Sequence, residues 1–288
     1  MKRIIFDIFV EIFCCKMLKI TKLQIGFQHK NSTTTLLESL SFEVAKGELC
    51  VILGRNGMGK TTLLRTIAGL HSALGGSVEI GSSSPPAPKG ESAHFGTGIR
   101  VDSPLGAGGA RNLAIVTTER FRLSYFRVED VVALGRYPHT GYFGNLQEKD
   151  KKIIENAIQL TNIKQLIHKP LAQLSDGEYQ KVMIARALAQ DTPLLLLDEP
   201  TAHLDLVNRI AIFQLLKKLS SESKRAVLCT THEVELALQI ADKIVLLVGE
   251  KQAHIGTSTQ LIEQGYIEAA YAAEGIFFDR KSGRFGII

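Results

Sequence analysis

The sequence predicts an α/β fold, and three observations carry that prediction. Short apolar runs alternate with helix-patterned segments along most of the chain. A glycine-rich loop, Gly54–Thr61, separates one such run from a helical pattern. Another run, Leu194–Leu197, ends in two adjacent carboxylates, Asp198 and Glu199.

In chain order, Met1–Lys16 (MKRIIFDIFVEIFCCK) imitates a secretory signal, but Asp7 and Glu11 interrupt its apolar stretch and no small-residue cleavage site follows. Residues 1–16 are therefore expected to be an extension outside the fold, with one domain over 17–288. LKITKLQIGF, directly after Met17, reads as the first strand. Glu48–Leu53 (ELCVIL) is apolar and short enough for a buried strand, and Thr62–Leu70 reads as a helix. From Gly81 to Ala110, Gly, Ser, Pro and Ala dominate, with Pro85 and Pro86 in succession, which predicts a mobile surface loop. LAIV, Leu113–Val116, is a further strand. Between Val128 and Leu188 apolar positions such as Ile153, Ile154, Ala157, Ile158 and Leu160 predict a helical insertion within the α/β core. AVLCTTH (Ala226–His232) and KIVLLV (Lys243–Val248) supply the last strands. The chain has no internal repeat.

Composition narrows the function classes. A chain of 288 residues buries a large core without a staple. Cys14, Cys15, Cys50 and Cys229 have no C-x-x-C or metal spacing and read as reduced core thiols of a cytosolic protein. The net charge of +5 is mild and its Lys and Arg are scattered, so a nucleic-acid face is not expected. No apolar run approaches the roughly 18 to 20 residues of a membrane span, which leaves a partner as the route to any membrane. The eight histidines lack paired metal spacing.

GRNGMGKT fits the phosphate-loop pattern G-x-x-x-x-G-K-S/T in the strand-loop-helix setting that the motif requires. Gly54, Gly57 and Gly59, with Arg55, Asn56 and Met58 between them, would turn backbone N–H groups toward phosphates at the positive end of the following helix, which continues through Thr62. Lys60 would reach the β- and γ-phosphates, and the Thr61 hydroxyl would hold magnesium. The competing reading is a glycine-rich turn with a chance Lys-Thr. Asp198 can bind the magnesium through its water shell. Glu199 is placed to polarise an attacking water, a role worth about 10²- to 10⁴-fold in rate, or roughly 3 to 5 kcal/mol. A strand-end acidic pair that only caps a helix is the alternative.

Upstream lies LSDGEYQK, Leu174–Lys181, before the helical run VMIARALAQ. The order of phosphate loop, LSDGE, LLLLDEPT, AHLD and a final TTH resembles the ATP-binding cassette (ABC) ATPases, over Leu18 to about Val248. The resemblance implies a P-loop NTPase core of ABC type (about 17–118 and 190–250), an inserted helical subdomain (about 119–189), the flexible loop (about 81–110), an antiparallel β part near the N-terminus and a C-terminal tail (about 251–288). It also implies a pair of cassettes with two ATP molecules between them. Ser175 and Gly177 would then donate to the γ-phosphate held by the partner, a role that suits a Ser and backbone amides opening a helix. Asp205 would lie at the contact between copies, and His232 would touch the γ-phosphate, forming with Glu199 and Lys60 the catalytic set. Phe27 resembles the aromatic that stacks on adenine, although a core Phe is the other reading.

Two departures stand out. The signature loop is usually LSGGQ, whereas Asp176 and Glu178 put carboxylates near an anionic ligand, pointing away from it or capping the helix. The glutamine that normally follows LAIV is absent, and Thr118 or Glu119 occupies its place, with Thr118 able to offer one oxygen to magnesium. Val128–Gly144 (VEDVVALGRYPHTGYFG) resembles the corresponding segment of importers for iron-siderophores, haem and cobalamin. By that resemblance the chain energises uptake through integral-membrane permease subunits, with a substrate-binding protein as an indirect partner, at the cytoplasmic face of the membrane. A cassette for a metal ion, amino acid or lipid, and a soluble cassette acting on nucleic acid or ribosomes, are the rival classes.

Overall fold

Two long strands open the structure, Lys16–His29 (β1) and Ser32–Ala45 (β2), paired antiparallel from Lys16 opposite Ala45 to His29 opposite Ser32. Leu49–Gly54 (β3) leaves this sheet for a second one, and Gly75–Ile80 (β4) returns to the free edge of β1. The computed structural model describes residues 16–29, 32–81, 112–119, 125–140, 144–249 and 251–288. Most of the expected extension and of the expected loop over Gly81–Ala110 lie outside those residues, as do Tyr142 and Phe143. Strand β1 begins at Lys16, one residue inside the segment that the sequence placed beyond the fold, because Lys16 pairs with Ala45 and its ammonium meets Glu43 at 2.6 Å.

The second sheet has the order β5-β6-β7-β3-β8-β9. Leu113–Val116 (β5), Leu194–Leu197 (β6), Ala226–Thr230 (β7), β3 and Lys243–Leu247 (β8) run parallel, and Ala253–Gly256 (β9) closes one edge antiparallel to β8. β9 therefore belongs to the sheet, whereas the sequence reading put it in a tail. Alternate residues of the parallel strands feed two cores. Val51, Leu197 and Cys229 face one, and Ile52, Leu196 and Leu228 face the other. Burial on both faces is why these strands are continuous apolar runs.

Helix Lys60–Ile67 (α1) follows β3 and packs in the core that includes β1, β2 and β4. It begins two residues before the expected Thr62 and stops before Gly69, which adopts a left-handed φ of +73°. The helical part comprises Val128–Ala133 (α2), a 3₁₀ turn Leu134–His139, Glu148–Leu160 (α3) and Asp176–Ala189 (α4). Pro138, which lacks an N–H, keeps the turn from continuing as α-helix. Arg136 is buried here. Its Nε donates to Asp150 Oδ1 at 2.9 Å and its Nη1 to the Ala189 carbonyl at 2.9 Å, which ties the turn to α3 and to the end of α4. Leu206–Ser221 (α5) and Val234–Ile240 (α6) flank β7. Ser258–Glu263 (α7), Tyr266–Tyr271 (α8) and a hairpin of Ile276–Asp279 (β10) with Arg284–Ile287 (β11) complete the chain.

Candidate functional site

Parallel strands send their C-terminal ends to one edge of a sheet, and here that edge gathers the polar residues. β3 leads into the glycine-rich loop Gly54–Thr61, β5 toward Thr118, β6 to Asp198 and Glu199, and β7 to Thr230 and His232. The register, with Val116 opposite Leu197 and Leu197 opposite Cys229, brings Asp198 beside Thr230.

In the loop, Gly57 and Gly59 have φ of +83° and +88°, which only glycine adopts without strain, and Gly59 caps α1. Arg55 and Asn56 are exposed, while Met58, Thr61 and Thr62 are half-buried. Lys60 is 5% exposed. Its Nζ donates to the Gly54 carbonyl at 2.9 Å and lies 3.6 Å from Glu199 Oε1. Ile25 of β1 and Leu36 of β2 pack beside Gly59, and Phe27, two residues beyond Ile25, keeps 44% of its surface exposed.

Asp198 is 2% exposed, so its carboxylate needs partners within the protein. Thr61 Oγ1 donates to Oδ1 at 2.9 Å and Thr230 Oγ1 to the same oxygen at 2.8 Å. Thr230 Oγ1 also accepts from the Glu199 N–H at 2.8 Å. One hydroxyl thus fixes both acidic residues, and the sequence reading missed it. The first Thr of the TTH run was the available signal. Glu199 itself has a φ of +44°, a left-handed conformation that a non-glycine residue adopts at a cost of about 1 to 3 kcal/mol. The turn aims its carboxylate out of the strand, between Lys60 and His232, whose Nδ1 lies 3.2 Å from Glu199 Oε2. Glu199 is 23% exposed at its side chain, open enough for water to reach.

Thr118 and Glu119 part company. Thr118 Oγ1 lies 3.4 Å from the Asp198 carbonyl oxygen and 3.5 Å from Asp198 Oδ2. Glu119 turns away to Arg65 at 3.1 Å, with 77% of its side chain exposed.

Ser175, Gly177 and Asp205 form a second cluster. Ser175 caps α4, its Oγ accepting from the Glu178 N–H at 3.3 Å while Glu178 Oε2 accepts from the Ser175 N–H at 2.9 Å. That backbone donation, with Lys169 at 3.7 Å adding to it, holds the Glu178 carboxyl below its usual range. Glu178 is therefore a cap. A serine hydroxyl that accepts one bond still has its proton to donate outward. Asp205 caps α5 by accepting from the Asn208 N–H at 2.8 Å, and a Cβ on Gly177 would fall 2.6 Å from Asn208 Oδ1. Ser175 and Asp205 bond within their own helix caps and not to the Gly54–Thr61 loop.

Residues 37–202 match the ABC transporter family, a span that runs from before the phosphate loop through LLLLDEPT. This chain belongs to that family. The cassette is 35% identical over 269 residues to an uncharacterised ABC transporter ATP-binding protein of Methanocaldococcus jannaschii, covering 93% of this chain and 86% of the relative. It is 30% identical over 236 residues to the iron(3+)-hydroxamate import ATP-binding protein of Bacillus subtilis, covering 82% of each. A solved dimeric bacterial ABC transporter cassette superposes with a TM-score of 0.63 at 26% identity, over 80% of this chain and 94% of that one. The cassette is thus an ATPase subunit that binds ATP. Among its described residues no helix is long and apolar enough to cross a membrane. Cys50 and Cys229 are buried free thiols, and burial raises both, Cys229 to about 12, which leaves them as unreactive core residues.

Proposed function

We propose that the cassette energises import of a metal chelate or cobalamin-like cargo, of the iron-siderophore, haem and cobalamin class, through integral-membrane permease subunits at the cytoplasmic face. Two copies act together, with ATP held between the phosphate loop of one and Ser175 and Gly177 of the other. A substrate-binding protein delivers the cargo. The observation that carries this reading is the 3₁₀ turn Leu134–His139, which presents Tyr137 at 74% exposure on a base anchored by buried Arg136. An amphipathic aromatic held on a fixed turn suits a permanent contact with a partner. The iron(3+)-hydroxamate import relative supports the cargo class.

Glu199 acts as general base on the attacking water, Lys60 holds the phosphates, and His232 fixes Glu199 and contacts the γ-phosphate. Phe27 offers its exposed ring to adenine. Thr61, Asp198 and Thr118 present only oxygen, the donor chemistry of a hard cation, and the two hydroxyls converge on the Asp198 carboxylate. These three residues would hold Mg²⁺, which supplies charge neutralisation on the β- and γ-phosphate oxygens. In the permease-bound complex, Glu199→Gln should retain ATP, accumulate paired cassettes and lose about two orders of magnitude or more in turnover. Near wild-type hydrolysis would remove the general-base assignment. ATPase stimulation in that complex by a ferric chelate or cobalamin, but not by an amino acid, tests the cargo, and the reverse preference would overturn it.

A further inference from the structure

His232 is gripped from both sides. Its Nδ1 faces Glu199 Oε2 at 3.2 Å, and its Nε2 lies 3.3 Å from Glu233 Oε1. Because an ionised carboxylate can only accept, each of these contacts is a hydrogen bond only when the facing ring nitrogen carries a proton, and two acceptors on opposite sides of the ring fix its orientation. Glu233 does not stand alone. Arg209 Nη1 donates to the same Oε1 at 2.7 Å, and Arg209 Nε donates to the Leu204 carbonyl at 2.7 Å. The Glu233 N–H is fixed in turn by Thr231 Oγ1 at 3.1 Å. With the Glu233 side chain 16% exposed, the pair is held in a partly dehydrated setting where orientation is costly to lose.

Arg209 occupies the first turn of α5, whose cap is Asp205 and whose Asn208 packs against Gly177. Neighbouring residues of one helical turn therefore look in two directions. Asn208 meets the signature loop, and Arg209 reaches through Glu233 to His232.

We propose that Arg209 and Glu233 are positioning residues for ATP hydrolysis, which hold the His232 ring against Glu199 and tie it to the Leu204–Asp205 segment. The inference rests on the reading of Glu199, His232 and Asp205 given above. Contact of a second copy at Asp205 and Gly177 would move the first turn of α5, and Arg209 carries that movement to the catalytic carboxylate. The pair thus couples closure of two cassettes to the alignment of the general base.

The test is a set of variants in the permease-bound complex, with ATP affinity, KM and kcat measured separately. Glu233→Gln keeps shape and removes the charge, and it should lower kcat by roughly ten- to hundredfold while leaving ATP affinity and KM within about twofold. Arg209→Met should lower kcat similarly, with Arg209→Lys recovering part of the loss. In a His232→Ala background, Glu233→Gln should have no further effect, since its action passes through that ring. An unchanged kcat in Glu233→Gln overturns the proposal, and so does an equal loss in the His232→Ala background, which would mark a merely structural ion pair. Retention of full hydrolysis by Glu199→Gln would instead sink the general-base reading, which separates the two failures.

Discussion

Asp150→Asn isolates the buried pair that anchors the turn bearing Tyr137. Arg136 and Asp150 have side chains only 4% and 8% exposed, and Asp150 Oδ2 also accepts from the Gln147 N–H at 2.9 Å, the N-cap bond of α3. The amide keeps the shape but leaves the Arg136 guanidinium without its counter-charge. Removing one partner of a buried pair costs about 3 to 5 kcal/mol. Since asparagine retains one acceptor oxygen and the Ala189 carbonyl still accepts from Arg136, the lower end, about 3 kcal/mol, is expected. At about 1.4 kcal/mol per tenfold, protection of α3 amides from hydrogen exchange should fall roughly a hundredfold relative to wild type at pH 7. Strand β6 should be unaffected. The Gln147 N–H, followed by Arg136, holds the Asp150 carboxyl below its usual range. Its stabilising contribution is therefore present above the unfolded value of about 3.9 and lost as pH falls through the lower folded value. The difference between variant and wild type should stay constant from pH 7 to about pH 5 and shrink below pH 4. ATPase stimulation by the permease should fall with it, because Tyr137 loses its base. Unchanged α3 protection, or an equal loss in β6, would refute the anchoring argument.

Lys60→Ala removes the buried ammonium that would make charge-assisted bonds to phosphate, so ATP affinity should drop by roughly ten- to hundredfold in equilibrium binding; an unchanged affinity removes the phosphate-loop reading. Thr118→Val should slow magnesium-dependent hydrolysis severalfold and spare ATP binding, whereas Glu119→Ala, which breaks only an exposed contact with Arg65, should be nearly silent. The opposite ranking would hand the role of the absent glutamine to Glu119. Gly177→Ala would force a methyl to 2.6 Å from Asn208 Oδ1, so ATP-driven pairing of cassettes should weaken while affinity at the Lys60 site holds. Normal pairing by light scattering in a Glu199→Gln background would show that Asn208 gives way.

The strand-loop-helix around Gly54–Thr61 and the strand-end acids were legible because their signals are local: a motif set between an apolar run and a helix, and LLLL running straight into Asp198 and Glu199. The buried core strands were legible for the same reason, since burial on both faces makes a strand apolar throughout, whereas their parallel order came only from the pairing. β9 was not, because AHIG lies at an edge with no fully buried residue and carries no apolar run. The uses of Thr230, Arg209 and Glu233 also escaped the sequence, since each contact spans 24 to 32 residues and exists only where strand register and the first turn of α5 bring them together. Whether Glu178 caps the helix or only points away from the ligand was a matter of side-chain direction, and the bond from the Ser175 N–H makes it a cap. Sequence set which chemistry this chain carries, because residue types and short spacings persist in an unfolded chain. Tertiary structure alone decided which oxygen meets which hydrogen, because distances between remote residues do not exist until the sheet is paired.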